Sequence, residues 1–165
     1  MGGDLVGVLC DYFRAPDRST ALAFVDDLFT AAEAHPDAEA VDLKGIDPVV
    51  ILGKLVTLLS GRPYEEMMVS GDIPVDHIPG PELLTPEDGD VFLVELDVSV
   101  RDTLAGATEA TLDDVAFVWA NIEEFIGWRD TWNEADELRP VIDALVGIAR
   151  RARAADQMLY CLICP

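Results

Sequence analysis

The chain has 165 residues, half of them apolar, which suffices for one domain with a proper core and is too apolar for global disorder. It carries 32 acidic against 11 basic residues, a formal net charge of −21. That balance excludes nonspecific binding to DNA, RNA or anionic membranes, each of which needs a basic face.

The first residues, Met1-Gly2-Gly3-Asp4, include no basic stretch, and the apolar run Leu5–Cys10 is too short for a signal core. Val6 stands where a myristoylation signal wants Ser or Thr. The run instead predicts a short strand buried on both faces. Pro16 and Asp17 open a helical segment reaching about Ala34, with Leu22, Val25, Leu28, Phe29 and Ala32 at helical spacing. His35-Pro36 ends it, and Ala40–Leu43 reads as a short extended piece.

A second helix is sharply bounded. Asp47 suits the N-cap, Pro48 the first helical position, and Gly61 a termination just beyond Ser60. Val49–Leu59 is apolar almost all round, which predicts a central, buried helix. Interrupted by Gly53 and Lys54, it is far short of a membrane span.

Residues 70–90 interleave Pro74, Pro79, Pro81 and Pro86 with Gly71, Gly80 and Gly89, the composition of a long surface loop. Thr85-Pro86-Glu87-Asp88 has the form of a helix start. Val94, Leu96, Val98 and Val100, however, alternate with Glu95, Asp97, Ser99 and Arg101, and this alternation favours a strand over 91–101. Thr111 with Asp114 makes a capping box for a third helix through Val115, Val118, Trp119, Ile122, Phe125 and Ile126. The last helix runs from about Leu138 to Ala154. Arg150, Arg151 and Arg153 sit at its C-terminal end, where cations complement the helix dipole. Met158–Cys164 closes the chain as another continuous apolar strand.

Charge is unevenly spread. Residues 63–138 hold twenty acids against Arg101 and Arg129 alone, so they account for most of the excess, and all three tryptophans lie there. A solvated acidic face explains this blandly. The sharper explanation is an electrostatic lure for a basic partner.

Candidate chemistry is sparse. Cys161 and Cys164 form a CxxC, but on a strand residues three apart point to opposite faces, whereas redox pairs sit at helix N-termini. With three cysteines and only His35 and His77, neither a disulfide framework nor a zinc site is expected. Asp76-His77 lacks a nucleophile signature, and Asp88-Gly89-Asp90 lacks the ligand rhythm of a calcium loop. No catalytic residue, cofactor or metal is assigned.

What remains is aromatic: Trp119, Trp128 and Trp132 with Phe117 and Phe125. Core packing accounts for such residues in most proteins. The alternative is a partner-binding surface in which an exposed Trp is ringed by Asp113, Asp114, Glu123, Glu124 and Asp130.

Several stretches resemble the YfbM-like family of small bacterial proteins of unknown function. They are the Met-Gly start with its short strand, Val41-Asp42-Leu43 leading to an apolar helix that ends Ser60-Gly61, Leu84-Thr85-Pro86, and the final helix and strand. The resemblance implies a compact α/β or α+β domain and no activity.

The sequence therefore predicts one compact cytosolic α+β domain over 1–165, with a small sheet that includes both terminal strands and about four helices. Its expected role is that of a non-enzymatic acidic binding protein, an inhibitor or immunity-type partner of a basic protein such as a nuclease. The alternative is a small enzyme or ligand-binding domain whose site is assembled from residues distant in sequence.

Overall fold

A strand that is apolar on both faces needs cover on both and therefore an interior place in its sheet. Leu9–Ala15 (β1) and Met158–Cys164 (β5) pair antiparallel throughout, from Leu9 opposite Cys164 to Ala15 opposite Met158. The computed structural model describes residues 9–26, 38–43, 45–61, 73, 75, 78–126 and 135–165. Short strands flank this pair: Val41–Asp42 (β2) beside β1, then Phe92–Glu95 (β4) beside β5 and Glu82–Leu83 (β3) beyond it. The five-stranded antiparallel sheet has the order β2-β1-β5-β4-β3, so both terminal strands are interior, as their composition predicts. The first strand is displaced from its expected place. It extends through Asp11 and Arg14 to Ala15, and residues 1–8 lie outside the described residues.

Alternation along the strands divides the core in two. Cys10, Tyr12, Val94, Leu159 and Cys161 join the larger cluster on one face. Phe13, Ala15, Leu93, Tyr160 and Leu162 form the smaller one on the other, where Arg18–Asp26 (α1) supplies Ala21 and Phe24. The expected continuation of α1 to Ala34 lies outside the described residues.

The larger core is built by Ile51–Leu59 (α2), Val98–Ala105 (α3), Glu109–Ala120 (α4), the short Glu123–Ile126 (α5) and Ala135–Ala154 (α6). With α1 this makes six helices among the described residues, against about four expected. In α2, Ile51 to Leu58 are all buried, as a helix apolar all round requires. The Asp47 carboxylate does cap this segment, accepting from the N–H groups of Val49, Val50 and Ile51. The regular helix begins only at Ile51, one turn later. Gly61 ends it at φ +84°, a left-handed position that favours glycine. Gly53 lets Val75 approach: a Cβ there would lie 3.1 Å from the Val75 Cγ1.

The strand expected over 91–101 is the main correction. β4 stops at Glu95, and Val98 and Val100 belong to α3. Asp97 makes the switch. Its backbone is extended, and its carboxylate accepts from the Ser99 hydroxyl and, at 2.9 Å, the Ser99 N–H, which holds it below the usual carboxylate range. Two valines at i and i+2 cannot report their period when a cap lies directly before them.

The capping box at Thr111 is also corrected. α4 starts at Glu109 behind Thr108, and the Thr111 hydroxyl donates back to the Thr108 carbonyl at 2.9 Å. Nor does α6 wait for Leu138. It begins at Ala135 and carries Pro140 within its second turn.

The smaller core offers the cleanest test of this architecture. Phe24 is fully buried, its ring centroid 4.4 Å from Phe13, which stacks in turn on Tyr160 at 5.6 Å. Phe24→Ala should cost about 3–5 kcal/mol in urea unfolding, the usual range for deleting a packed ring. A loss below about 1 kcal/mol would mean that α1 does not cover this face.

Candidate functional site

The aromatic and acidic residues of α4 and α5 separate into two populations. Leu112, Val115, Ala116 and Trp119 turn inward, whereas Asp113, Asp114, Phe117 and Asn121 turn out. Trp119 is fully buried. Its indole N–H donates to the Ile51 carbonyl at 3.0 Å, and its ring meets Phe125 edge-on at 5.2 Å. It is therefore not an exposed aromatic; its place on the partner surface is corrected by the core it fills. Phe117 takes that place, at 60% exposure the most exposed large hydrophobic side chain among the described residues. Asp113 and Asp114 precede it by four and three residues, which puts both beside its ring on the helix surface. The helical spacing carried this signal, since Phe117 is out of phase with the Val115–Trp119–Ile122 stripe.

The acids have different neighbours. Arg139 of α6 donates to Asp113, to Glu109 at 2.6 Å and to Asp143 at 3.0 Å, so Asp113 is partly neutralised. Asp114 and Glu123 are exposed. Glu124 has an internal task. Both of its carboxylate oxygens accept from the Lys54 ammonium, at 2.6 and 2.7 Å, with side-chain exposures of 28% for Glu124 and 11% for Lys54. This pair ties α5 to the apolar α2 and gives the buried lysine its counter-charge. Trp128, Asp130 and Trp132 lie outside the described residues.

The cysteines divide as the strand period predicts. Cys10 and Cys161 share the larger core, fully buried, while Cys164 packs against the smaller one. Burial pushes the Cys161 thiol up, and its hydrogen bond to Cys10 holds the proton there; the same bond draws Cys10 down. Neither thiol meets solvent. Among the described residues no group of three or more His, Cys, Asp or Glu could hold a metal ion. Among them, too, no helix is long and apolar enough to cross a membrane.

A second acidic feature lies at the sheet edge. Asp11 of β1 sits directly opposite Asp42 of β2. Burial, and then the Asp42 charge, raise the Asp11 carboxyl above its ordinary range.

No family model matches the chain, and no curated protein matches it. One solved structure is similar, that of a protein of unknown function, YfbM from Escherichia coli. The two share 11% identity over 94% of this chain and 99% of that one, with a TM-score of 0.40. The YfbM-like resemblance of the sequence is thus met by a weak likeness of structure.

Two substitution experiments follow from these contacts. Lys54→Met and Glu124→Gln should each cost about 2–3 kcal/mol in chemical unfolding, because each strands a half-buried charge or donor. Replacing both together, Lys54→Met with Glu124→Gln, should cost less than the two single losses added; strict additivity would show that the pair is not coupled. Asp11→Asn should raise the Tm at pH 7. A carboxyl whose folded pKa is raised opposes folding once it ionises, so the advantage should vanish as pH falls below both its folded and unfolded values. A variant no more stable at pH 7 than the parent would contradict the assigned repulsion.

Proposed function

We propose that the protein is a non-enzymatic binding module that docks a basic protein through the outer face of α4 and the start of α5. The observation that carries this reading is Phe117, an aromatic ring exposed at 60% on a helix face that also presents Asp113 and Asp114. A ring in water gains apolar contact when a partner covers it, and flanking carboxylates select Lys and Arg around the pocket that receives it. Glu123 extends the acidic rim just beyond the helix. Trp128, Asp130 and Trp132 belong to the same proposal by sequence alone.

Charge supports this reading at longer range. Arg14, Arg18, Lys54, Arg101, Arg139 and Arg151 are engaged in internal ion pairs, so they do little to offset the field of the remaining acids. A field of one sign speeds the encounter with an oppositely charged protein. An inhibitor or immunity-type partner of a basic enzyme would use both features, the field for speed and the ring for residence.

The test begins with capture of binding proteins from host lysate at low salt and their release at high salt, followed by kinetics on the purified complex. Charge reversal at Asp114 and Glu123 to Lys should slow association about ten-fold and flatten its salt dependence. Phe117→Ala should leave association nearly unchanged and accelerate dissociation by about thirty-fold, the equivalent of about 2 kcal/mol. Complexes whose two rate constants ignore all three substitutions would refute the assignment of this face.

A further inference from the structure

We infer that Arg14 and Arg151 form an oxyanion site for a phosphate group, free or as a monoester, which the carboxylate of Glu39 occupies in this conformation. Arg14 reaches the site from β1 and Arg151 from the last turn of α6. Their Nε–H groups converge on one oxygen, Glu39 Oε2, that of Arg14 at 3.1 Å. Arg14 also donates through Nη1 to the Gln157 side-chain oxygen at 2.7 Å, and the Gln157 carbonyl accepts from Arg101 at 3.0 Å. The Arg14 side chain is only 12% exposed, so its guanidinium is held in place before any ligand arrives.

The backbone bears a conformational cost at this contact. Glu39 stands at φ +50°, a left-handed backbone that L-residues other than Asn and Asp seldom adopt. Gly147, one turn before Arg151, interrupts the interior of α6 with the poorest helix former after proline. A Cβ at Gly147 would lie 3.2 Å from Arg151 Nη1, a tight contact that the end of this half-exposed side chain could relieve by a small shift. An ion pair with side-chain exposures of 36% and 50% adds little to stability, so the Arg151 contact alone does not account for the left-handed backbone of Glu39.

The chemistry favours phosphate over another carboxylate. A phosphate group carries nearly twice the charge of Glu39 and offers three terminal oxygens to two planar forks of donors. Arginine pairs with such a group bidentately. The ligand would displace Glu39, whose side chain already borders solvent.

The experiment titrates the full chain at low salt with inorganic phosphate and, in a second arm, with methyl phosphate; acetate is the monoanion control. In the unmodified chain, the Nε–H resonances of Arg14 and Arg151 should move together and saturate with either phosphate, and far less with acetate. Glu39→Gln removes the internal competitor. If Glu39 fills the site about nine-tenths of the time, binding should tighten about ten-fold. Adding Arg151→Gln to Glu39→Gln should abolish that gain. Saturation by methyl phosphate at lower concentration than inorganic phosphate would assign the site to an ester, and the reverse to the free ion. Arginine resonances that do not saturate in the parent chain would overturn the inference. So would a Glu39→Gln chain that binds no tighter, or a double variant that binds as well as the single one.

Discussion

The antiparallel ladder between β1 and β5 joins residues nearly a full chain length apart; the other described strands extend it on either side, and the described helices cover its two faces. Apart from Asp11 and Arg14 its residues are apolar, so neither strand can be left at an edge without exposing Leu, Phe and Ile side chains. Closing so long a loop costs entropy that only the burial on both faces offsets. The ladder also fixes where the last helix ends. Asp156, at φ +54°, turns the chain from α6 into β5 within three residues, so the helix lies directly against the strand it feeds.

Polar groups inside the larger core converge on the entry to α2. The Tyr12 hydroxyl donates to the Ile46 carbonyl, and the Trp119 indole donates to that of Ile51. Lys54 draws in Glu124 from α5, and the Thr57 hydroxyl returns to the Gly53 carbonyl within the helix. Buried donors without partners cost more than the bonds themselves contribute, so the Tyr12, Trp119 and Lys54 contacts each specify one docking position. Sheet, α4 and α5 are thereby registered against the stretch from Ile46 to Lys54 that leads into α2. Phe117 is left outside as a consequence, because Trp119, two residues on, has claimed the inward direction.

Much of this was legible in the sequence where composition alone decides the outcome. The continuous apolar run Met158–Cys164 gave one interior strand, and Pro48 with Gly61 bracketed α2, whereas the first strand lies beyond most of the Leu5–Cys10 run and includes Asp11 and Arg14. Opposite faces for Cys161 and Cys164 followed from the strand period. Legibility failed where a local signal had two interpretations. Val94 and Leu96 alternate as a strand, and Val98 and Val100 continue the count, but the Asp97 cap starts a helix between them. The Asp114 side chain matched a capping box, although the helix had already begun at Glu109. Partners distant in the chain left no mark either. Nothing near Lys54 announces Glu124, and nothing near Glu39 announces Arg14 and Arg151. The acidic surface was visible as a count, but which acids stay free depends on where the arginines fold to.

That dependence explains how so acidic a chain stays compact while keeping its field. Like charges on one small domain repel, and the compact state bears the repulsion. The cations are placed where they relieve it locally: Arg139 among three carboxylates at the α4–α6 contact, and Arg18 between Glu82 and Glu95 across β3 and β4. Arg150 is used differently, closing the Ala105 and Ala107 carbonyls at the end of α3. Arg139 and Arg18 thus join neighbouring elements and cancel the nearest acids, while the more distant acids keep their field. Added salt acts on these two roles in opposite senses. It relieves the long-range repulsion that loosens the fold, and it shortens the reach of the field that would draw a basic partner. The stability of the fold and the proposed recognition of a basic partner therefore depend in opposite senses on the same excess of carboxylates.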